Sequence, residues 1–310
     1  MVAKKIEMKS HHVFPLSQSW RTLELKFRRF RIVVLRLLLQ NQTSKPYLSG
    51  DAFATLVDYS PYGPNGGKIP NEHSIAIAKS LFVPSHLLKS FVLQFGGITH
   101  AQVLITGNSD ENFDELPTLP SSIRLWLGQN LAVSEQSESL KIQTIPIGLE
   151  NLALGRAGRK KYLRLNSALI RDRILVPPMA LSNPVRSEVL ELLSKSPGIY
   201  DVYLNYLDER KYFKLASKYK FVLCLEGNGY ENHRIWETLY RNSFPVMLKT
   251  SWSETLKDLG IPILFLDSIL DAKPLTLHDF LQTHNNFESK EVPTLWTPHW
   301  ESLIAKWTGG

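Results

Sequence analysis

The segment that most constrains the fold is a short apolar run at 221–225, which a glycine-containing turn and a helical pattern follow. The run is bounded by turn residues and is too short for a typical helix, so it predicts a buried strand. Gly227 and Gly229 can adopt positive φ and would let a ligand approach the main chain closely. Trp236, Leu239 and Tyr240 recur at helical spacing and are expected to face the core. The segment therefore predicts the strand-turn-helix connection of an α/β domain.

The predicted helix begins with basic residues. His233 and Arg234 lie in its first turn, where free N–H groups and the helix dipole favour an anion and oppose a cation. Glu237 follows about one turn later, where its carboxylate could accept hydrogen bonds from ribose hydroxyls. The alternative is an exposed i,i+4 pair of Glu237 with Arg241. The pattern indicates a nucleotide-diphosphate site, although Gly-x-Gly alone is also common in ordinary α/β connections.

Three short motifs follow one another in this region: Glu-Gly-Asn-Gly at 226–229, His-Arg-x-Trp-Glu-x-Leu-Tyr-Arg at 233–241, and Pro-Val at 245–246. Together they resemble the C-terminal signature of exostosin-like glycosyltransferases and their bacterial relatives. Weaker similarities to the N-terminal half of the bacterial members lie, in the same order, at 49–51, 105–110, 129–130 and 145–151.

The resemblance implies a GT-B architecture, in which two Rossmann-like α/β domains with parallel sheets face each other across a cleft. We accordingly expect a basic N-terminal segment (1–47), an acceptor-side domain (48–165), a nucleotide-sugar domain (166–285) and a terminal helix that packs back on the first domain (286–310). The implied activity is transfer of a sugar, with inversion, from a nucleotide-diphosphate sugar to a glycan or lipid-linked acceptor. The sequence identifies neither the sugar nor the acceptor.

Such a transfer needs charge stabilisation on the leaving diphosphate and a base for the acceptor hydroxyl. The chain contains no Asp-x-Asp motif, so we expect Arg234 to act as the electrophile, with no metal and no cofactor beyond the donor. The base is expected to be Asp110, after a predicted strand at 101–106, or Asp51, near an expected first strand; either could instead cap a helix. The donor-binding candidates are Glu226, Gly227, Asn228, Gly229, His233, Arg234 and Glu237. Of these, Glu226 either holds the turn or contacts the sugar, and His233 either donates a hydrogen bond or caps the helix.

Apolar runs alternate with helical patterns along most of the chain, which favours parallel sheets. A breaker-rich loop at 60–67 could line the acceptor side or serve as a lid. The run at 75–82 is compatible with a strand or a short helix. Strands are predicted at 101–106, 123–127, 142–147, 173–177, 221–225, 244–248 and 263–266, and helices at 183–193 and 212–218.

The basic charge of the chain is concentrated at its N-terminus. Residues 1–47 carry ten Lys and Arg and two acidic residues, a net charge of +8, so the other 263 residues sum to −1 in a chain of net charge +7. Nucleic-acid enzymes more often carry basic charge on their folded domains, so we expect no nucleic-acid partner. Residues 20–40 could make a peripheral membrane contact, although a domain-capping element or first strand is the alternative.

The single cysteine, Cys224, lies in an apolar run and is expected to be a buried structural residue. One cysteine excludes a disulfide framework and fits a reducing compartment. We therefore predict a cytoplasmic protein, with possible attachment to the inner face of a membrane. Two other function classes stay open: a non-catalytic protein that binds nucleotide sugars or glycans, and a membrane or nucleic-acid adaptor that acts through residues 1–47. Epimerisation of a sugar nucleotide is a further possibility on the same fold.

Overall fold

The computed structural model describes residues 44–133, 139–154, 158–163 and 169–309, together with Phe30 and Val34, both of which are helical. The rest of the basic N-terminal segment, and with it most of the stretch predicted to contact a membrane, lies outside the described residues. In the described part of the chain no helix is both long enough and apolar enough to cross a membrane. The described residues form an α/β protein with two separate parallel sheets.

The first sheet has four parallel strands in sequence order. The first three strands are buried along their whole length, as is typical of parallel strands covered on both faces. The strands are β1 (Ser80–Pro84), β2 (Val103–Gly107), β3 (Leu125–Gly128) and β4 (Lys141–Thr144). Helices α1 (Gly50–Phe53) and α2 (Glu72–Ile77) precede the sheet, and α3 (Leu88–Phe95) connects β1 to β2.

The first half of the chain, up to residue 163, departs from the regular alternation of strands and helices. The run at 75–82, predicted as one strand or short helix, is divided between the end of α2 and the start of β1. The connection between β2 and β3 contains no helix, and Pro117 and Pro120 within it are disfavoured in a helix interior. The strand order of this sheet also shows no reversal.

The second sheet alternates regularly, and its five parallel strands run in the order β6-β5-β7-β8-β9. Asn183 caps α4, accepting a hydrogen bond from the Val185 N–H at 3.0 Å, and Pro184 occupies the first helical position, as the sequence predicts. The strands are β5 (Ile170–Val176), β6 (Tyr200–Val202), β7 (Tyr219–Leu223), β8 (Phe244–Leu248) and β9 (Leu264–Leu266). The helices are α4 (Pro184–Lys195), α5 (Glu209–Ala216), α6 (His233–Tyr240) and, after β9, α7 (Pro274–Thr283).

The strand order of the second sheet reverses beside β5. The chain passes from β5 to β6 on one side and returns to place β7 on the other side of β5. The connections that leave the carboxyl ends of β5 and β7 therefore diverge, which opens a crevice where α/β proteins commonly bind ligands. The loop after β5 and the start of α6 border this crevice.

One hydrophobic core joins the two sheets, with Ile105 and Leu127 from the first sheet and Leu175 from the second. The last helix, α8 (Thr297–Thr308), returns to the first half. There Trp300 is fully buried, with its ring centroid 5.8 Å from that of Phe53. Short 3-10 helices complete the fold at Ser85–Leu87, Leu152–Leu154, Lys160–Tyr162, Ser253–Leu259, Ile269–Asp271, Ser289–Glu291 and Pro293–Leu295.

Candidate functional site

Two neighbouring cavities lie at the carboxyl ends of the two sheets. The first, of about 580 Å³, is lined by the loops after β5 and β6, by α6 and by Arg186 of α4. The second, of about 470 Å³, is lined mainly by the residues that follow β2, β3 and β4. Glu150 from the first half and His233 from the second line both cavities, so the two cavities meet at these side chains.

Two arginines are directed at the first cavity. The Arg234 Nη2 donates to the Pro178 carbonyl oxygen at 3.1 Å, and the Arg186 Nη1 donates to the Ala180 carbonyl oxygen at 2.8 Å. The Nε of each guanidinium is buried and has no hydrogen-bond partner within the described chain. Burial and the neighbouring charge of Arg234 lower the pKa of Arg186. Two cations with donors left unused favour an anion between them.

Glu237 lines the same cavity from the next turn of α6 and is 5% exposed. The Tyr212 hydroxyl donates to its Oε2 at 3.3 Å. Burial raises the pKa of the Glu237 carboxyl, and the charges of Arg241, His233 and Arg234 oppose this rise. The alternative of an exposed pair with Arg241 is wrong, because Arg241 is only 2% exposed.

The glycine turn occupies a different place from the one its sequence suggests. Gly227 and Gly229 do not have positive φ, and residues 226–229 line neither cavity. The turn instead contacts the first half, where the Asn228 Nδ2 donates to Asp110 Oδ2 at 3.0 Å. A Cβ on Gly229 would lie 3.0 Å from Asn130 Nδ2 and from the Asp110 carbonyl oxygen. This glycine is therefore needed for close approach of the two halves.

Glu226, predicted either to hold this turn or to contact the sugar, has a structural contact. Its Oε1 accepts a hydrogen bond from the Trp252 indole N–H. The indole of Trp252 in turn stacks on the Tyr230 ring, with 5.6 Å between their centroids. These contacts fix the carboxyl end of β7 and leave sugar contact by Glu226 as a prediction only.

His233 is held by a main-chain carbonyl. Its Nδ1 lies 2.9 Å from the Gly148 oxygen, and because a carbonyl can only accept, Nδ1 carries the proton. In the neutral ring Nε2 is then an acceptor, on a side chain that borders both cavities. Gly148 has φ +66° and a Cβ there would lie 2.2 Å from the Leu48 carbonyl oxygen, so only glycine can present this carbonyl to His233.

Glu231 is a functional candidate that sequence reasoning missed. It is 5% exposed and lines the second cavity. Its Oε2 accepts from the Ile147 N–H at 2.8 Å and from Trp236 Nε1 at 3.0 Å, whereas its Oε1 is buried with no partner in the described structure. Burial raises the pKa of the Glu231 carboxyl to about 8, against the opposing effect of these hydrogen bonds.

This carboxyl leads to a testable pH dependence. Because the folded-state pKa of Glu231 lies above its ordinary value, its contribution to stability is present at low pH and is lost as pH rises towards about 8. Glu231→Gln keeps an acceptor for both N–H groups and cannot ionise. We expect the free energy of unfolding of the variant to equal that of the wild type near pH 5 and to exceed it by a few kcal/mol at about pH 8.5.

Calorimetric unfolding across this pH range measures the difference. Glu188→Gln, at an exposed position on α4, is the matched control and should follow the wild type at every pH. A Glu231→Gln difference that stays constant with pH would contradict the assignment of the raised pKa to Glu231.

Arg186 was also missed, although the sequence carries a signal for it. Arg186 follows the Asn183 cap of α4 by three residues, and Arg234 follows the Asn232 cap of α6 by two. Each helix thus has an arginine in its first turn and no acidic residue there. Two first-turn arginines on helices that flank the strand-order reversal are the shared pattern that points to the first cavity.

The two predicted base candidates lie in different surroundings. Asp110 is exposed, follows β2 by three residues and lines the second cavity. Asp51 is buried in α1 and lines neither cavity. Its expected position beside a first strand is wrong, because β1 begins only at Ser80. Of these two carboxylates, only Asp110 is placed to meet a ligand in either cavity.

Cys224 directly follows β7 and is buried, as expected for a structural cysteine. Burial raises the pKa of its thiol to about 12, so the thiolate is disfavoured at neutral pH. Across the described ranges, no three His, Cys, Asp or Glu side chains are grouped closely enough to hold a metal ion.

The site as a whole combines a cavity with two arginines and three glutamates, a second cavity rich in amide side chains, and a histidine at their junction. Comparison of the chain with protein-family models finds no match, and a search of curated proteins finds none either. The function is therefore inferred from the residues of this chain and their geometry.

Proposed function

We propose that this protein is a glycosyltransferase that moves a sugar from a nucleotide-diphosphate donor to an acceptor hydroxyl. The observation that carries the proposal is the pair Arg186 and Arg234, each with an unpartnered guanidinium nitrogen, in one cavity at the strand-order reversal. Guanidinium groups match phosphate oxygens in charge and in geometry. The resemblance of residues 226–246 to exostosin-like glycosyltransferases supports the same reading, and with it a GT-B arrangement of the two sheets.

In the proposed complex the diphosphate lies against Arg186 and Arg234. The ribose hydroxyls donate to the carboxylate of Glu237, which lies one helical turn beyond Arg234. As the bond between the sugar C1 and the diphosphate oxygen breaks, its electron pair goes to the diphosphate. The two guanidinium groups stabilise that charge. Arg234 thereby acts as the electrophile, which is the role expected for it in a chain without an Asp-x-Asp motif.

The acceptor hydroxyl forms the new bond to C1 and gives up its proton. We assign the proton acceptor to His233, since its Nε2 is the basic nitrogen in the neutral ring and its side chain borders both cavities. Asp110 is the alternative base, because it lines the second cavity. Inversion at C1, which the resemblance implies, requires the acceptor to attack from the face opposite the diphosphate.

A ligand panel tests the proposal. EDTA-treated protein is heated with UDP, GDP, dTDP and the corresponding nucleotide sugars, and we expect one nucleoside diphosphate to raise the unfolding temperature. Ligand at 100 times its Kd stabilises the folded state by about 2.7 kcal/mol. Arg186→Gln should lose this shift relative to its own ligand-free value, whereas Lys195→Gln, an exposed cation on the same helix, should keep it.

Three results would count against the proposal. If no nucleotide changed the unfolding temperature, the first cavity would not be a donor site. Recovery of binding only with Mn²⁺ would overturn the metal-free interpretation. Donor binding without transfer to any acceptor, and without slow hydrolysis of the donor, would identify a nucleotide-sugar-binding protein instead of an enzyme.

A further inference from the structure

The second cavity differs chemically from the first. We propose that the second cavity binds the acceptor, and that it takes a neutral polyhydroxylated sugar and rejects sugars that carry a carboxylate, sulfate or phosphate. Its role as acceptor site rests on the proposed function, whereas the binding preference can be measured without any transfer reaction.

Amide side chains dominate the lining of this cavity. An amide offers both donors and acceptors, which matches hydroxyl groups that also do both. Among the described residues that line the cavity there is no lysine or arginine, and the acidic side chains are those of Asp110, Glu150 and Glu231. The amides are those of Asn65, Asn108, Gln129, Asn130 and Asn151.

Hydrogen bonds hold several of these amides in fixed positions. The Asn108 Nδ2 donates to the Pro64 carbonyl oxygen at 2.6 Å, and the Asn151 Nδ2 donates to Asn108 Oδ1 at 3.0 Å. The Gln129 Oε1 accepts from the Asn108 N–H at 2.9 Å. Amide groups retain further donors and acceptors after such contacts, so the cavity presents a preorganised polar surface.

Glu231 supplies an independent indication that a ligand belongs here. Its Oε1 is buried at the cavity and has no hydrogen-bond partner in the part of the chain that the structure describes. Because the pKa of this carboxyl is about 8 and its Oε2 accepts two hydrogen bonds, Oε1 carries the proton at neutral pH. A buried donor without a partner is costly, and a sugar oxygen could accept a hydrogen bond from it. The carboxylates of Asp110 and Glu150, which line the same cavity, disfavour an anionic ligand through like-charge repulsion.

The two cavities thus divide the substrates by charge. The first cavity offers the anionic donor the guanidinium groups of Arg186 and Arg234 beside its carboxylates. The described residues that line the second cavity include carboxylates and no arginine or lysine, so this cavity disfavours the same ligand. A neutral acceptor would enter the second cavity and meet His233 where the cavities join. This separation would keep the donor from occupying the acceptor position.

Matched pairs of glycosides test the preference. Methyl β-glucoside and methyl β-glucuronide differ only by the carboxylate at C6, and the corresponding galactosides form a second pair. Saturation-transfer NMR and titration, each with and without the nucleoside diphosphate, should detect binding of at least one neutral glycoside. Its uronate should bind at least about tenfold more weakly.

Variants locate the binding. Asn65 is exposed at the cavity, so Asn65→Trp should obstruct the cavity and abolish glycoside binding, with the thermal shift by nucleotide retained. Ile69→Trp, at an 87% exposed position in the following segment, is the matched control and should bind glycoside normally. Asp110→Asn should reduce the difference between the neutral glycoside and its uronate, because it removes a carboxylate that lines the cavity.

Each contrary result overturns the inference in a definite way. Equal or tighter uronate binding removes the charge preference, and glycoside binding that survives Asn65→Trp places the sugar elsewhere. Absence of binding by all four glycosides also overturns it. Failure of nucleotide binding with glycoside binding intact would contradict the proposed function alone.

Discussion

Replacement of Arg234 by lysine is expected to lower kcat/KM for sugar transfer by about 10²–10³-fold, nearly as much as replacement by alanine. The Arg234 Nη2 is already engaged by the Pro178 carbonyl oxygen, and its buried Nε is free for a ligand. A lysine ammonium cannot make both contacts in these directions, because it is a single charge without a planar fork. If Arg234 stabilises the leaving diphosphate, its interaction strengthens in the transition state, so kcat should fall together with donor affinity.

Steady-state kinetics with varied donor concentration give kcat, and a direct binding measurement gives donor affinity, so the effects on the two can be distinguished. Arg210→Lys, at an exposed position on α5, is the matched control and should leave both parameters unchanged. Circular dichroism and the unfolding temperature verify that each variant is folded. Wild-type kinetics in Arg234→Lys would place the diphosphate away from this guanidinium and remove the main support for the proposed function.

Replacement of His233 by glutamine is expected to lower kcat by about 10²–10⁴-fold with little change in donor binding. Glutamine can still donate a hydrogen bond towards the Gly148 carbonyl oxygen, but it cannot take a proton as the imidazole Nε2 does.

Steady-state kinetics at saturating donor measure kcat, and the nucleotide thermal shift verifies donor binding. Asp110→Asn in the same assay distinguishes the two base candidates. Should Asp110→Asn lose activity while His233→Gln retains it, the base is Asp110 and the assignment to His233 is wrong.

Most elements of the second sheet are well predicted because their signals are local, although the sequence did not predict β6 (Tyr200–Val202) or α7 (Pro274–Thr283). The cap at Asn183 with Pro184 and the apolar runs of β7 and β8 are each contained in a few consecutive residues. The first half follows local signals less closely. Its strands occur where apolar runs predict them, but the β2–β3 connection contains no helix, and β1 and α2 divide a run that periodicity alone left ambiguous.

The sequence by itself determined the α/β class, the position of Arg234 and Glu237 one turn apart on a single helix, and the structural nature of Cys224. Only the tertiary structure showed that Gly229 packs against the first half. It also showed that Glu231, although 84 residues away in the chain, accepts a hydrogen bond from the Ile147 N–H in a buried site. Turn and helix signals depend on neighbouring residues, whereas burial, pKa and cavity lining depend on which distant segments approach each other. Residue spacing along one chain does not record those approaches, so the first-turn arginines of α4 and α6 could be recognised as a pair only from the order of the strands.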